Sequence, residues 1–287
     1  MIGRAIAFVT GVGGPAGRAT AAFLRERGVP VEVGDVRPLE EERDLVRLPL
    51  ANDPGFLAAL RRELDAHGAD LLVSTVTEEL PLVAREREAL RAAGCAVFIS
   101  SAEVAETAND KWLTVQALAQ AGVGVPRSLS GRERADLIDA LGFPLLSKPR
   151  RGRGGRGVEI HEGPGDLPAA SPDRIYQEFL AGEEYDVNLF AEPGGEPAAL
   201  VVLRKTALRE GRVGNAVGVE RTHAPDVADL AAAASRALRL EGPIDIDVRR
   251  ARDGRPLVLE VNARVGANVR SADEVLEVLL KRWRKAS

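Results

Sequence analysis

Apolar residues along the first hundred positions follow two alternating rhythms. Residues 5–11 (AIAFVTG) form a continuous apolar run ending in glycine, as a strand buried on both faces would. Residues 15–28 (PAGRATAAFLRERG) carry helical spacing and stop at Gly28. The alternation then repeats, with strand signals at 29–35, 69–76 and 95–100 and helix signals at 53–68 and 81–94. Strands separated by helices predict a parallel sheet covered on both faces, an open α/β layer of Rossmann type.

The rhythm changes after Ser101. A long helical stretch, 102–122, precedes a proline-bearing segment at Pro126, a short helix at 133–142 and a strand at 143–149. A loop dense in glycine and arginine follows, and residues 158–161 return as a strand. Residues 174–180, 184–192, 197–208 and 214–222 read as strands of one antiparallel sheet. An amphipathic helix at 227–240, a hairpin of 244–251 with 256–263, and a closing helix at 273–286 complete the pattern. The composition change near 101–105 marks the predicted boundary, giving domains 1–103 and 104–287.

Composition narrows the class. Of 287 residues, 45% are hydrophobic and 29% charged, which excludes a disordered or collagen-like chain. A formal net charge of −4 gives no global reason to seek nucleic acid or an anionic membrane. The single cysteine, Cys95, excludes an internal disulfide and a multi-cysteine zinc site. No apolar run approaches the ~20 residues that span a bilayer, and no cleavable leader is evident. The expectation is a soluble, cytoplasmic protein. The basic residues are overwhelmingly arginine, so Lys111, Lys148 and Lys205 stand out. A compact ammonium suits a phosphate oxygen in a tight site.

Three segments carry candidate chemistry. TGVGGPAG (10–17) lies between a strand and a helix, where helix-terminal amides can hold a phosphate, and Asp35 ends the next strand as a ribose acid would. The alternative is a tight turn with no ligand. KPRRGRGGRGV (148–158) puts a lysine at a strand end before glycines whose backbone can approach phosphate. A solvated arginine loop and an RNA-binding arginine–glycine segment compete with that reading, though the shortness of the loop and the acidic chain disfavour RNA. In the hairpin, Glu260 and Asn262 alternate onto one side of a strand, with Asp247 on its partner. Such an oxygen-rich site suits Mg²⁺; the alternative is a solvated edge bridged to Arg249 and Arg264.

NDK (109–111), KPRRGRGGRGV (148–158), QEFLAGEEY (177–185) and LEVNARVG (259–266), in this order, resemble the ATP-grasp superfamily, nearest its carbamoyl-phosphate-synthetase-like branch. The resemblance implies a Rossmann-like pre-ATP-grasp domain, a lid over about 124–176 and a metal-bearing C-terminal sheet over about 177–287. It implies that Lys111 and Lys148 approach ATP phosphates beneath a glycine flap, Gly152 to Gly157, that includes Gly154 and Gly155. Glu178, Phe179 and Leu180 would meet adenine, and Glu184 the ribose, with Glu183 as competitor. Asp247, Glu260 and Asn262 would bind Mg²⁺, with Mn²⁺ as an alternative. Arg264 would sit by the γ-phosphate and acyl phosphate, and Lys205 would reach the same place.

The activity so implied joins a small-molecule carboxylate to an amine through an acyl phosphate, releasing ADP and phosphate. A homodimer is the implied assembly, without nucleic-acid or membrane partners. The loop has more arginines than the family pattern, and Ala263 stands where a proline is usual. The chain's end soon after the hairpin favours a stand-alone ligase. Two alternatives differ in class: a nucleotide-binding regulatory or assembly protein with little turnover, and a nicotinamide-dependent oxidoreductase using 10–17 and Asp35.

Overall fold

The computed structural model describes residues 5–152 and 154–286. The chain begins with β1 (Ala7–Thr10), α1 (Pro15–Glu26), β2 (Val31–Asp35), β3 (Val46–Arg47) and α2 (Phe56–His67). It continues through β4 (Leu71–Val73), α3 (Leu80–Arg85), α4 (Arg87–Ala92) and β5 (Ala96–Val97). These strands form a five-stranded sheet in the order β3-β2-β1-β4-β5, parallel at every pairing. The two-residue β3 carries too little pattern to be seen in the sequence.

The helical stretch at 102–122 is two helices, α5 (Ala102–Ala108) and α6 (Lys111–Gln120). Asp110 causes the break: its side chain accepts from the amides of Trp112 and Leu113 and starts a new helix. The predicted helix at 81–94 is likewise divided, into α3 and α4.

Next come β6 (Ser128–Leu129), α7 (Arg134–Leu141), β7 (Leu145–Pro149), β8 (Glu159–His161) and β9 (Arg174–Glu178). They build a four-stranded sheet, β6-β9-β7-β8, antiparallel throughout. Residues 174–178 therefore belong to this sheet rather than to the sheet that follows, as their rhythm had suggested. Hydrogen bonding to β7 decides the matter, and periodicity carries no information about it. The layer has a small core of its own in Leu137, Leu141, Leu145, Leu167 and Tyr176.

The last sheet comprises β10 (Glu184–Ala191), β11 (Pro197–Leu208), β12 (Ala216–Arg221), β13 (Gly242–Arg250) and β14 (Pro256–Asn262), in the order β12-β11-β10-β13-β14. Helices α8 (Pro225–Leu238) and α9 (Asp273–Ala286) pack on it. Its apolar face joins Val187, Ile246 and Val261 to Phe8, Leu60, Leu72 and Leu80 of the first layer in one cluster. A second cluster packs Trp283 and Leu279 of α9 with Val9, Phe23 and Leu24. Apolar packing thus runs without a gap between the first and last layers. Among the described residues no helix is long and apolar enough to cross a membrane.

Candidate active site

Pairing of the C-terminal sheet collects its polar residues on one face. Asp186 of β10 lies opposite Asp247 of β13, which lies opposite Glu260 of β14. One step along, Asn188 lies opposite Asp245, which lies opposite Asn262. Residues two apart share a face, so Glu184 and Arg249 join this set, and Lys205 of β11, next after the Tyr185–Arg204 pair, reaches Glu184. The alternate residues Tyr185, Val187, Leu189, Ile246 and Val248 fill the core. Glu260 and Asn262 accordingly fall on one side, as their alternation predicts, and the β13–β14 pairing sets Asp247 beside them.

Cations reach this face from three directions. From α6, Lys111 Nζ lies 3.1 Å from Glu260 Oε1 and donates to the Gly152 carbonyl at 2.8 Å. From β7, Lys148 Nζ donates to the Leu259 carbonyl at 3.1 Å, so both lysines meet β14. Lys148 is 6% exposed, and burial pushes its pKa down to about 8 against the pull of Glu260. Within the sheet, Lys205 Nζ bridges Glu184 Oε1 at 2.7 Å and Asp247 Oδ1 at 2.6 Å. Burial disfavours its charge, but Asp247, Glu184 and Asp186 outweigh that cost and hold its pKa above the usual lysine value.

The other carboxylate oxygen of Glu184 faces Arg249 Nη1 at 3.2 Å. Arg264 pairs with Asp245 at 3.2 Å and donates to Thr77 Oγ1 at 3.3 Å, tying this face to the turn after β4. The salt bridges that a solvated hairpin would make, from Arg249 and Arg264 to Asp247 and Glu260, are replaced by Glu184 and Asp245.

Residues 178–180 occupy different settings. The Glu178 carboxylate accepts from the backbone N–H and Nε of Arg127, both at 2.9 Å, so its side chain is engaged within the lid sheet. Phe179 lies beneath the Arg212 and Arg249 guanidinium groups, 4.3 and 5.2 Å from the ring centroid. Leu180 is buried. Glu183 is half-exposed and accepts from Tyr185 Oη at 2.8 Å, whereas Glu184 is enclosed.

In the glycine loop, Gly154 and Gly155 have φ of +71° and +70°. A Cβ at Gly155 would stand 2.9 Å from Gly214 Cα, so only glycine lets the loop approach the β11–β12 turn. The part of the flap at residue 153 lies outside the described residues.

Packing accounts for one residue of the N-terminal glycine turn. A Cβ on Gly17 would meet the Gly11 carbonyl oxygen at 2.5 Å, so this glycine serves close helix–strand contact. Asp35 Oδ2 accepts the Gly13 N–H at 2.7 Å, which engages the acid that a nicotinamide reading would assign to ribose.

Asp186, Asn188 and Asp245 were not singled out in the sequence. The signal was present in the alternation of EYDVNLFA and IDIDV, and becomes a site only when the strands pair. Burial raises Asp186 above the usual carboxylate range, with Asp247 adding; burial also raises Asp245, with Asp186 and Asp247 adding. Asn188 Oδ1 and Asp245 Oδ1 are buried without a hydrogen-bond donor among the described residues. The face therefore has oxygen acceptors to spare. Among the described residues no three His, Cys, Asp or Glu side chains are grouped so that they could hold a metal ion. Asp247, Glu260 and Asn262 together offer two carboxylates and an amide oxygen, hard oxygen donors of the chemical type that a magnesium-like cation prefers.

The fold has counterparts in known proteins. The structure superposes on L-amino acid ligase from Bacillus licheniformis with a TM-score of 0.70 at 20% identity, covering 93% of this chain and 68% of that one. It superposes with a TM-score of 0.68 at 14% identity on the biotin carboxylase domain of Hydrogenobacter thermophilus 2-oxoglutarate carboxylase, crystallised with MgADP, covering 94% and 66%. At these identities the likeness concerns the fold alone. A sequence model of the ATP-grasp domain matches residues 108–268, the stretch holding Lys111, Lys148, Lys205 and the acids of the polar face. The chain belongs to the ATP-grasp domain family. It is also 36% identical over 138 residues to phosphoribosylamine–glycine ligase of Streptomyces coelicolor, a match covering 45% of this chain and 32% of that enzyme. The shared segment is thus about a third of the length of that relative.

Proposed function

We propose that the protein is a Mg·ATP-dependent carboxylate–amine ligase that works through an acyl phosphate. The observation that carries this reading is the meeting of Lys111 and Lys148 with Glu260 and β14, on the face where Asp247 and Asn262 stand. Phosphoryl transfer brings several anionic oxygens together and needs this kind of mixed cation and metal-ligand surface. In the proposed organisation, residues 1–103 form a Rossmann-like layer that completes the acceptor site. Residues 104–287 hold nucleotide between the lid sheet and the C-terminal sheet. The separate core of the lid and the Arg264–Thr77 contact support that division of labour.

Lys111 and Lys148 would hold the polyphosphate, the 178–180 segment the base, and Glu184 the ribose. Asp247, Glu260 and Asn262 would hold Mg²⁺, which supplies charge neutralisation at the β- and γ-phosphates. A substrate carboxylate oxygen attacks the γ-phosphorus, the bond to the ADP oxygen breaks, and an acyl phosphate results. Arg264 and Lys205 offset charge around that anion. The amine then attacks the acyl carbon, phosphate leaves, and the amine gives up a proton. The 150–157 loop would keep water from the acyl phosphate.

The direct experiment follows ADP release against pooled amino acids, dipeptides and small carboxylates, with and without amine acceptors. A ligase shows release that depends on both substrates; slow release indifferent to any acceptor would instead favour a regulatory nucleotide-binding protein. Charge on Lys148 adds a pH test. The ammonium is present below about 8 and lost above it. Mg·ADP affinity is therefore expected to fall as pH rises through that value, approaching about tenfold per pH unit. Calorimetry from neutral to alkaline pH measures this, and Lys148→Arg should flatten the profile because guanidinium stays charged.

A further inference from the structure

The residue before Lys111 has its own set of contacts. Asp110 Oδ1 accepts from the Trp112 and Leu113 amides at 3.0 and 3.3 Å, which caps α6. The same carboxylate receives Arg150, Nε to Oδ1 at 3.1 Å and Nη2 to Oδ2 at 2.7 Å. Arg151 Nε stands 3.7 Å from Oδ2. Two further bonds run beside this pair: the Lys111 N–H donates to the Arg150 carbonyl at 2.9 Å, and Lys111 Nζ donates to the Gly152 carbonyl at 2.8 Å.

The Asp110 side chain is 3% exposed, and burial alone would raise its pKa. Arg150 and the helix amides outweigh burial and hold it below the usual carboxylate value. A capping oxygen needs no charge and no second partner. The bidentate guanidinium therefore serves something other than the helix start.

We infer that Asp110 is a positioning residue that fastens the root of the 150–157 loop to the helix turn carrying Lys111. Seating the loop and placing the Lys111 ammonium become one event. This rests on the proposed role of Lys111 at the phosphates. Asp110 itself is assigned no contact with nucleotide or metal.

Two variants separate this role from simple capping. Asp110→Asn keeps a capping oxygen but loses the charge facing Arg150, and Arg150→Gln leaves the cap untouched. Tryptic cleavage at the exposed Arg156 is followed by mass spectrometry on the nucleotide-free full chain, and Mg·ADP binding by calorimetry. Each variant is expected to be cleaved about tenfold faster and to bind about tenfold more weakly, with the double variant no worse than either single one. If Arg150→Gln stays within about twofold of the parent in both measurements, Asp110 is only a cap and the inference falls. If the parent itself takes no Mg·ADP, the ligase reading fails, and the cleavage rates alone decide whether Asp110 fastens the loop.

Discussion

Glu260→Ala is expected to lower ADP release by at least about a hundredfold, the scale on which loss of a charge-stabilising group acts in phosphoryl transfer. Glu260 has two duties. It lies opposite Asp247 in the sheet and so supplies half of the paired carboxylates on the polar face. It is also the acid nearest Lys111, at 3.1 Å, and raises the pKa of buried Lys148. Without it the two lysines lose a shared counter-charge, and the repulsion of Lys111 depresses Lys148 further. The measurement is turnover across a Mg²⁺ titration: a metal ligand shows partial recovery at high Mg²⁺, and Glu260→Gln recovers less than the parent because its charge is gone. Full activity of Glu260→Ala at ordinary Mg²⁺ would remove the metal role from this face.

Lys205→Met is expected to have the largest effect on stability. The Lys205 side chain is 7% exposed, and its partners Glu184 and Asp247 are 11% and 22% exposed. Asp186, already raised by burial, adds a third acid to the neighbourhood. Removing the only side chain that bridges Glu184 and Asp247 among the described residues leaves Glu184 with Arg249 alone and Asp247 beside the buried Asp186 without that cation. The loss of one member of a buried pair costs about 3–5 kcal/mol, read as a lower midpoint in urea unfolding. Addition of Mg²⁺ with ADP should restore part of the loss, since both would supply cationic or donor partners to the same acids. A change below about 1 kcal/mol would place these pairs among the screened surface bridges.

The polar face illustrates how far one-dimensional reading reaches. LEVNA alone puts Glu260 and Asn262 on one side of a strand, because the side-chain period is two. IDIDV does the same for Asp245 and Asp247, yet only Asp247 drew attention there. EYDVNLFA has the same alternation, and its acids become neighbours of the hairpin acids only through the β10–β13 pairing. Glu178 marks the opposite limit. Its place in QEFLAGEEY puts it in a segment expected to meet adenine, and only the β6–β9 pairing shows that Arg127 stands against its carboxylate.

Local features were decided by local chemistry. Apolar periodicity and glycine stops yield nearly every strand and helix, since both depend on residues within a turn or two. Spacing also brings Lys148 to a strand end and sets the hairpin acids in phase. Tertiary structure decided which strands are neighbours, that Asp110 divides a helix and clasps Arg150, and that Lys111 and Lys148 meet at β14. It also decided that Gly17 stands against the Gly11 carbonyl, where no Cβ fits. These outcomes depend on backbone hydrogen bonds and buried charge pairs between segments up to 187 residues apart, as in the Arg264–Thr77 contact, and no window along the chain holds both partners.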